Sequence, residues 1–243
     1  MGHKRVQKRF TSHVNIVEFQ QPKPIKPKRY SVSLNPRNQS QKEYVAMLQD
    51  ESTSIVFAVG PAGTGKTMLA VQHGIKLFQE GVIDKIIVTR PAVSVDEELG
   101  FLPGTLNEKM APWTRPIFDV FGEYYHQTDI AKFLAEGEIE ISPLSYMRGR
   151  TFKNAYIIFD EAQNTTPNQM KMALTRLGEN SRMVVTGDLA QADRLHDNGL
   201  LEFIDRLDNN KTALSHIDVA YFTHKDIERH SAVKEVLALY GES

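Results

Sequence analysis

One octapeptide narrows the choice of fold more than any other stretch of the chain. Gly60-Pro61-Ala62-Gly63-Thr64-Gly65-Lys66-Thr67 satisfies the pattern G-x-x-x-x-G-K-[ST] at every defined position. It follows a short run of β-formers at residues 54–59 and opens a stretch of helical character at 66–79. Strand, glycine-rich loop and helix in that order belong to a parallel α/β sheet, and the rest of the chain keeps the rhythm. Residues 84–89, 154–159, 181–186 and 216–222 read as further short strands, mostly apolar without alternation, as expected where both sheet faces are covered. Helices are expected from about residue 41 and over 167–177, 199–207 and 225–239. The expected fold class is therefore α/β, a parallel sheet flanked by helices. Residues 91–153 break the alternation as a long insertion between the second and third core strands, rich in Pro and Gly (Pro91, Gly100, Pro103, Gly104, Pro112, Pro116). An excursion that long is usually functional or forms an interface.

The loop's chemistry follows from its residue types. Glycines let the backbone curl until successive N–H groups face one anion, and the following helix adds its positive end. Gly60 to Thr67 together with Met68 are thus the expected nucleotide-binding set. Lys66 is expected on the β- and γ-phosphates and the Thr67 hydroxyl on Mg²⁺. A second motif, Tyr156-Ile157-Ile158-Phe159-Asp160-Glu161, is a strand ending in two acids. Alone, two acids there would equally suit a helix N-terminus. Beside a phosphate loop, Asp160 is expected on the metal side and Glu161 as general base for water. That pairing favours hydrolysis of ATP over transfer to a small molecule. A third strand ends in Thr186-Gly187-Asp188, with Gln191 beyond. Thr186 and Gln191 are placed to meet the γ-phosphate or the attacking water, unless Gly187-Asp188 is a plain turn.

Charge and composition limit the partners. The net charge is −1, but residues 1–50 carry ten Lys/Arg against three acids, leaving +7 there and −8 in the remainder. A basic, proline-containing arm over residues 1–35 suits contact with phosphates or a solvated tail equally. There is no cysteine, so disulfides and thiolate zinc sites are excluded. The eight histidines are scattered, and Mg²⁺ is the only metal expected. No apolar stretch approaches the ~20 residues of a membrane span, and no signal-type apolar segment follows the basic start. A cytoplasmic protein without membrane contact is expected. Trp113, near Lys109 and Arg115, reads as an interface anchor more readily than a base-stacking residue.

Taken together the motifs resemble the PhoH family. The likeness runs from the phosphate loop through Thr89-Arg90-Pro91, Leu99-Gly100-Phe101-Leu102-Pro103-Gly104, Met147-Arg148-Gly149-Arg150-Thr151 and Asp160-Glu161-Ala162-Gln163-Asn164 to Gly187-Asp188, Gln191 and Arg229-His230. It covers about residues 36–240. The resemblance implies a RecA-like ATPase domain over residues 36–243, similar to one half of a superfamily-one helicase. It implies ATP hydrolysis with Mg²⁺, a hexameric ring, and action on RNA or single-stranded DNA. Gln41, three residues before Tyr44, resembles a helicase glutamine that reads the adenine edge. Arg229 resembles the late arginine that meets the γ-phosphate. Arg90, Arg148 and Arg150 are implied as contacts to a neighbouring subunit or to nucleic acid. A chain with one such domain needs a neighbour to supply the second wall of the nucleotide site, which is a physical reason to expect a ring. Two other readings stay open on sequence alone: a nucleotide-gated scaffold with little turnover, and a P-loop kinase of a small molecule.

Overall fold

The computed structural model describes residues 30–91, 106–193, 197–210, 212, 214–228 and 231–239. In chain order the elements are α1 (Gln39–Gln49), β1 (Ile55–Val59), α2 (Lys66–Gln79), β2 (Lys85–Thr89), α3 (Leu106–Tyr124), α4 (Gln127–Glu136), β3 (Ile139–Ile141), β4 (Ala155–Phe159), α5 (Pro167–Leu174), β5 (Arg182–Gly187), α6 (Gly199–Asp208), β6 (Ile217–Tyr221) and α7 (Ser231–Leu239). The strands form one six-stranded sheet in the order β3-β2-β4-β5-β1-β6. Every pairing is parallel. All strands therefore release their chain at the same edge, and β5 stands between the strand that feeds the loop and the strand that carries the two acids.

The apolar strand runs are buried on both faces, as their lack of alternation requires. One layer joins Val56, Ala58, Val88, Ile158 and Val184 to Tyr44, Leu48, Leu69, Ile75, Ile117 and Phe121 from α1, α2 and α3. The other joins Phe57, Ile87, Ile157, Phe159 and Val185 to Met170, Ala173, Leu200 and Ile204 from α5 and α6. Each such side chain contributes about 1.5–3 kcal/mol on burial. Val32 is also buried, so the packed body includes residues ahead of position 36. Among the described residues, no helix is long and apolar enough to cross a membrane.

The excursion after β2 turns out to be a βαβ unit. Its strand β3 is three residues long, too short to show a period, and it pairs with β2 at the sheet edge. Its helix α3 contains both Pro112 and Pro116, residues that normally end a helix by removing a donor. Burial of Met110, Ile117, Phe121 and Tyr124 holds the helix despite them. Two helix ends also differ from expectation. α5 stops at Leu174, with Thr166 and Gln169 closing a capping box at its start. The expected helix over 225–239 begins as a short 3₁₀ turn at His224–Asp226, and α7 starts only at Ser231. Just after the 3₁₀ turn the Glu228 N–H donates to the Gly63 carbonyl of the loop at 3.0 Å.

Candidate active site

Backbone geometry explains the loop's glycines. Gly60 has φ +146°, and a β-carbon there would stand 2.3 Å from the Phe222 carbonyl oxygen. No side chain fits between the loop and the exit of β6. Behind the loop, Asn38 caps α1 by accepting from the Gln41 N–H, at 2.9 Å. The Gln41 amide, 1% exposed, donates to the Thr64 carbonyl (2.9 Å) and accepts from the Arg37 N–H (2.7 Å). Gln41 thus braces the loop from beneath, with its carbonyl oxygen and one amide hydrogen already engaged. The Lys66 ammonium donates to the Gly60 and Pro61 carbonyls, both at 2.6 Å, and lies 3.3 Å from the Thr64 hydroxyl. Burial lowers its pKa, opposed by the nearby charges of Asp188, Asp160 and Glu161.

Three elements converge on Asp160. Its Oδ1 accepts from the Thr67 hydroxyl at the start of α2 (2.9 Å) and from the Thr186 hydroxyl at the end of β5 (2.6 Å). Glu161 follows in the left-handed region, φ 55° and ψ 39°. That conformation costs a non-glycine residue of order 1–3 kcal/mol and is most often retained at functional positions. Its Oε2 accepts from the Gln163 amide at 2.5 Å, and its Oε1 lies 3.5 Å from Nη2 of Arg90. The other arm of Arg90 donates to the Trp113 carbonyl at 3.0 Å. Thr67, Met68, Asp160, Glu161, Thr186 and Gln191 line a common cleft with the loop. Gln191 is tied to the Asp188 carboxylate at 2.8 Å.

The arginines divide. Arg90, expected at a neighbouring subunit or nucleic acid, holds Glu161 within its own chain. Arg150 is likewise committed internally: both guanidinium arms pair with the Glu140 carboxylate, and the group lies 4.5 Å over the Phe152 ring. That pairing lowers the Glu140 pKa and raises that of Arg150. Arg148 is exposed. Arg229 lies outside the described residues, as does the Leu99–Gly104 motif of residues 99–104. Gln163 was legible only as part of the acidic motif. Its position two residues beyond Glu161 was the one available signal.

Among the described residues, no group of three or more His, Cys, Asp or Glu side chains could hold a metal by itself. The Thr67 hydroxyl and Asp160 carboxylate offer two adjacent hard oxygens. This suits Mg²⁺, which keeps several waters and takes phosphate oxygens rather than an all-protein cage.

The PhoH-like protein of Mycobacterium tuberculosis is 44% identical over 215 residues, 88% of this chain and 59% of the relative. The PhoH-like protein of Bacillus subtilis is 43% identical over 210 residues, 86% of this chain and 65% of the relative. Protein PhoH of Escherichia coli K12 is 40% identical over 215 residues, 84% and 57%. The chain therefore spans less than two thirds of the length of each of these relatives. Among solved structures, the Sulfolobus solfataricus SWI2/SNF2 ATPase core domain is similar over 67% of this chain and 33% of that one, at 17% identity and a TM-score of 0.38. The same core in complex with dsDNA gives 18% identity and a TM-score of 0.37. The architecture is that of a P-loop NTPase. A family model described as PhoH-like protein matches residues 33–241, and the chain belongs to that family.

Proposed function

We propose that this chain is a Mg²⁺-dependent ATPase, and that it works as a ring on RNA or single-stranded nucleic acid. The observation that carries the ATPase reading is the junction at Asp160. One carboxylate joins the P-loop helix through Thr67 to β5 through Thr186, with Glu161 directly after it. The loop N–H groups and Lys66 bind the phosphates, and Thr67 and Asp160 hold Mg²⁺, which offsets phosphate charge as the terminal bond breaks. Glu161 takes a proton from the attacking water, and Thr186 and Gln191 border the same space. Gln41 keeps the loop in shape from behind, whether or not it also reads the adenine edge.

The nucleic-acid and ring readings have separate support. The +7 charge of residues 1–50 suits a phosphate backbone, and Arg148 is an exposed cation. A ring would let a neighbour supply an arginine, worth ~10³-fold or more in rate. With Arg90 and Arg150 engaged internally, Arg148 is the candidate for that role, and Arg229 keeps the reading of an arginine that meets the γ-phosphate.

The test is the ATPase rate per subunit across protein concentration, with and without single-stranded RNA, alongside mass by light scattering. A rate that climbs as the assembly forms, and climbs again with RNA, supports the whole reading. Turnover that ignores both assembly and RNA would leave a self-contained NTPase and end the motor proposal. Barely detectable turnover, with ATP changing the assembly state, would favour the nucleotide-gated scaffold.

A further inference from the structure

The Glu161 carboxylate is restrained unequally. Oε2 receives the Gln163 amide at 2.5 Å, whereas Oε1 faces Arg90 at 3.5 Å, beyond good hydrogen-bond length. A carboxylate oxygen accepts about two hydrogen bonds. Oε1 therefore keeps more capacity for a water in the cleft than Oε2, and the Gln163 amide is what makes the two oxygens differ.

Gln163 is itself held at three points. Its Oε1 accepts from the Asp188 N–H at 3.1 Å, across the neighbouring strand. Its main-chain carbonyl accepts from the Asn198 amide at 2.8 Å, and Asn198 in turn caps α6 by accepting from Leu200 and Leu201. It is 1% exposed, so no water substitutes for either end of its side chain. Its donor is aimed at a carboxylate that lines the cleft. The neighbouring turn leaves it no room to drift: a β-carbon at Gly187 would stand 3.1 Å from the Gln163 Oε1 and 2.5 Å from Leu200.

We propose that Gln163 is the positioning residue for the Glu161 carboxylate, presenting Oε1 to the water and tying its orientation to the turn after β5. This rests on the reading of Glu161 as the base. The connection continues from Asp188 to Gln191, whose amide donates to the Asp188 carboxylate at 2.8 Å. Glu161, Gln163, Asp188 and Gln191 form one hydrogen-bonded relay across two strand exits.

The experiment uses the full chain with ATP and Mg²⁺, and compares Gln163→Glu and Gln163→Met with Glu161→Gln and the double variant Glu161→Gln/Gln163→Met. Gln163→Glu keeps the volume and replaces the amide with a second carboxyl group beside Glu161. Gln163→Met removes both polar ends. The readouts are kcat, KM and the affinity for ADP by direct titration. The expected result is a kcat lowered about 10- to 100-fold in both single variants, part of what a general base supplies. ADP affinity stays within about threefold, because the phosphates do not touch Gln163. In the Glu161→Gln background, adding Gln163→Met should cost nothing further, since residues acting as a unit are not additive. A full additional loss in the double variant, or loss of ADP binding in both single variants, would make Gln163 a purely structural residue and overturn the proposal. Unimpaired turnover in the Gln163 variants beside an inactive Glu161→Gln would overturn it too, leaving the base reading intact. Wild-type turnover in Glu161→Gln would remove the base reading, and the proposal with it.

Discussion

The two edges of the sheet use similar residues to opposite ends. At the edge where strands begin, Arg182 donates to the Leu48 and Asp50 carbonyls, each at 2.8 Å, and closes the C-terminal end of α1. Ser181 there accepts from the Ala155 N–H and donates to the Phe152 carbonyl. At the edge where strands end, Arg90 reaches a carboxylate, Asp160 is shared by two hydroxyls, and Gln163 bridges Glu161 to Asp188. Both edges hold left-handed residues, but of different kinds. Asn154 and Asn180, at φ 49° and 54°, are of a type that tolerates this region. Glu161 at φ 55° is not. The strained residue of an ill-suited type stands only at the exit edge of this pair, beside the cleft, which is the pattern expected of a functional position.

The sharpest way to break this contrast is to relieve the strain. Glu161→Asn keeps a polar side chain and suits the left-handed region. Turnover should fall more than ~100-fold, the scale of a general base, while the folded state gains roughly 0.5–1 kcal/mol. Steady-state ATPase assays and urea unfolding measure the two halves. A variant that loses activity and stability together would show that Glu161 is held by the fold for the fold's sake.

The opposite edge should respond in the opposite sense. Arg182→Met removes two charged hydrogen bonds to carbonyls and should lower stability by about 2–3 kcal/mol. The kcat of the folded fraction should not change. The midpoint of urea unfolding, with ATPase activity below the transition, separates the effects. A fall in kcat would mean that α1, and through Gln41 the loop, transmits strain from one edge to the other.

How far the sequence announced this arrangement depends on the range of each contact. β1, β2, β4, β5 and the loop were legible because unbroken apolar runs and fixed motifs are local signals. β3 was not, since three residues cannot display a period. α3 was hidden by Pro112 and Pro116, whose local cost is overridden by burial of Ile117 and Phe121 against the core. At the site, Asp160 and Thr67 came from motifs, but their contact joins positions 93 residues apart. The roles of Arg90 and Gln163 were out of reach for the same reason. Gln163 meets Asp188 across 25 residues, and nothing local says that an amide must span that gap.

One polar pair belongs to neither edge and asks whether acid sensitivity originates in the cleft or in the core. His73, on the buried side of α2, lies 3.2 Å from the Tyr156 hydroxyl, with ring centroids 5.5 Å apart. Burial first, then the positive charges of Arg182 and Lys76, lower its pKa from 6.5 to about 3. Between those two values the unfolded chain takes up a proton that the folded chain refuses. Stability is therefore full above pH 6.5 and is lost as the pH falls toward 3. From pH 7 to pH 5 the loss from this residue should be about 1–2 kcal/mol. His73→Gln should remove most of that difference, read as urea midpoints at the two pH values, and leave ATP turnover at pH 7 unchanged. An undiminished pH dependence in the variant would move the acid-sensitive group out of the core and toward the carboxylates of the cleft, where the contrast between the edges would then extend to proton uptake as well as to strain.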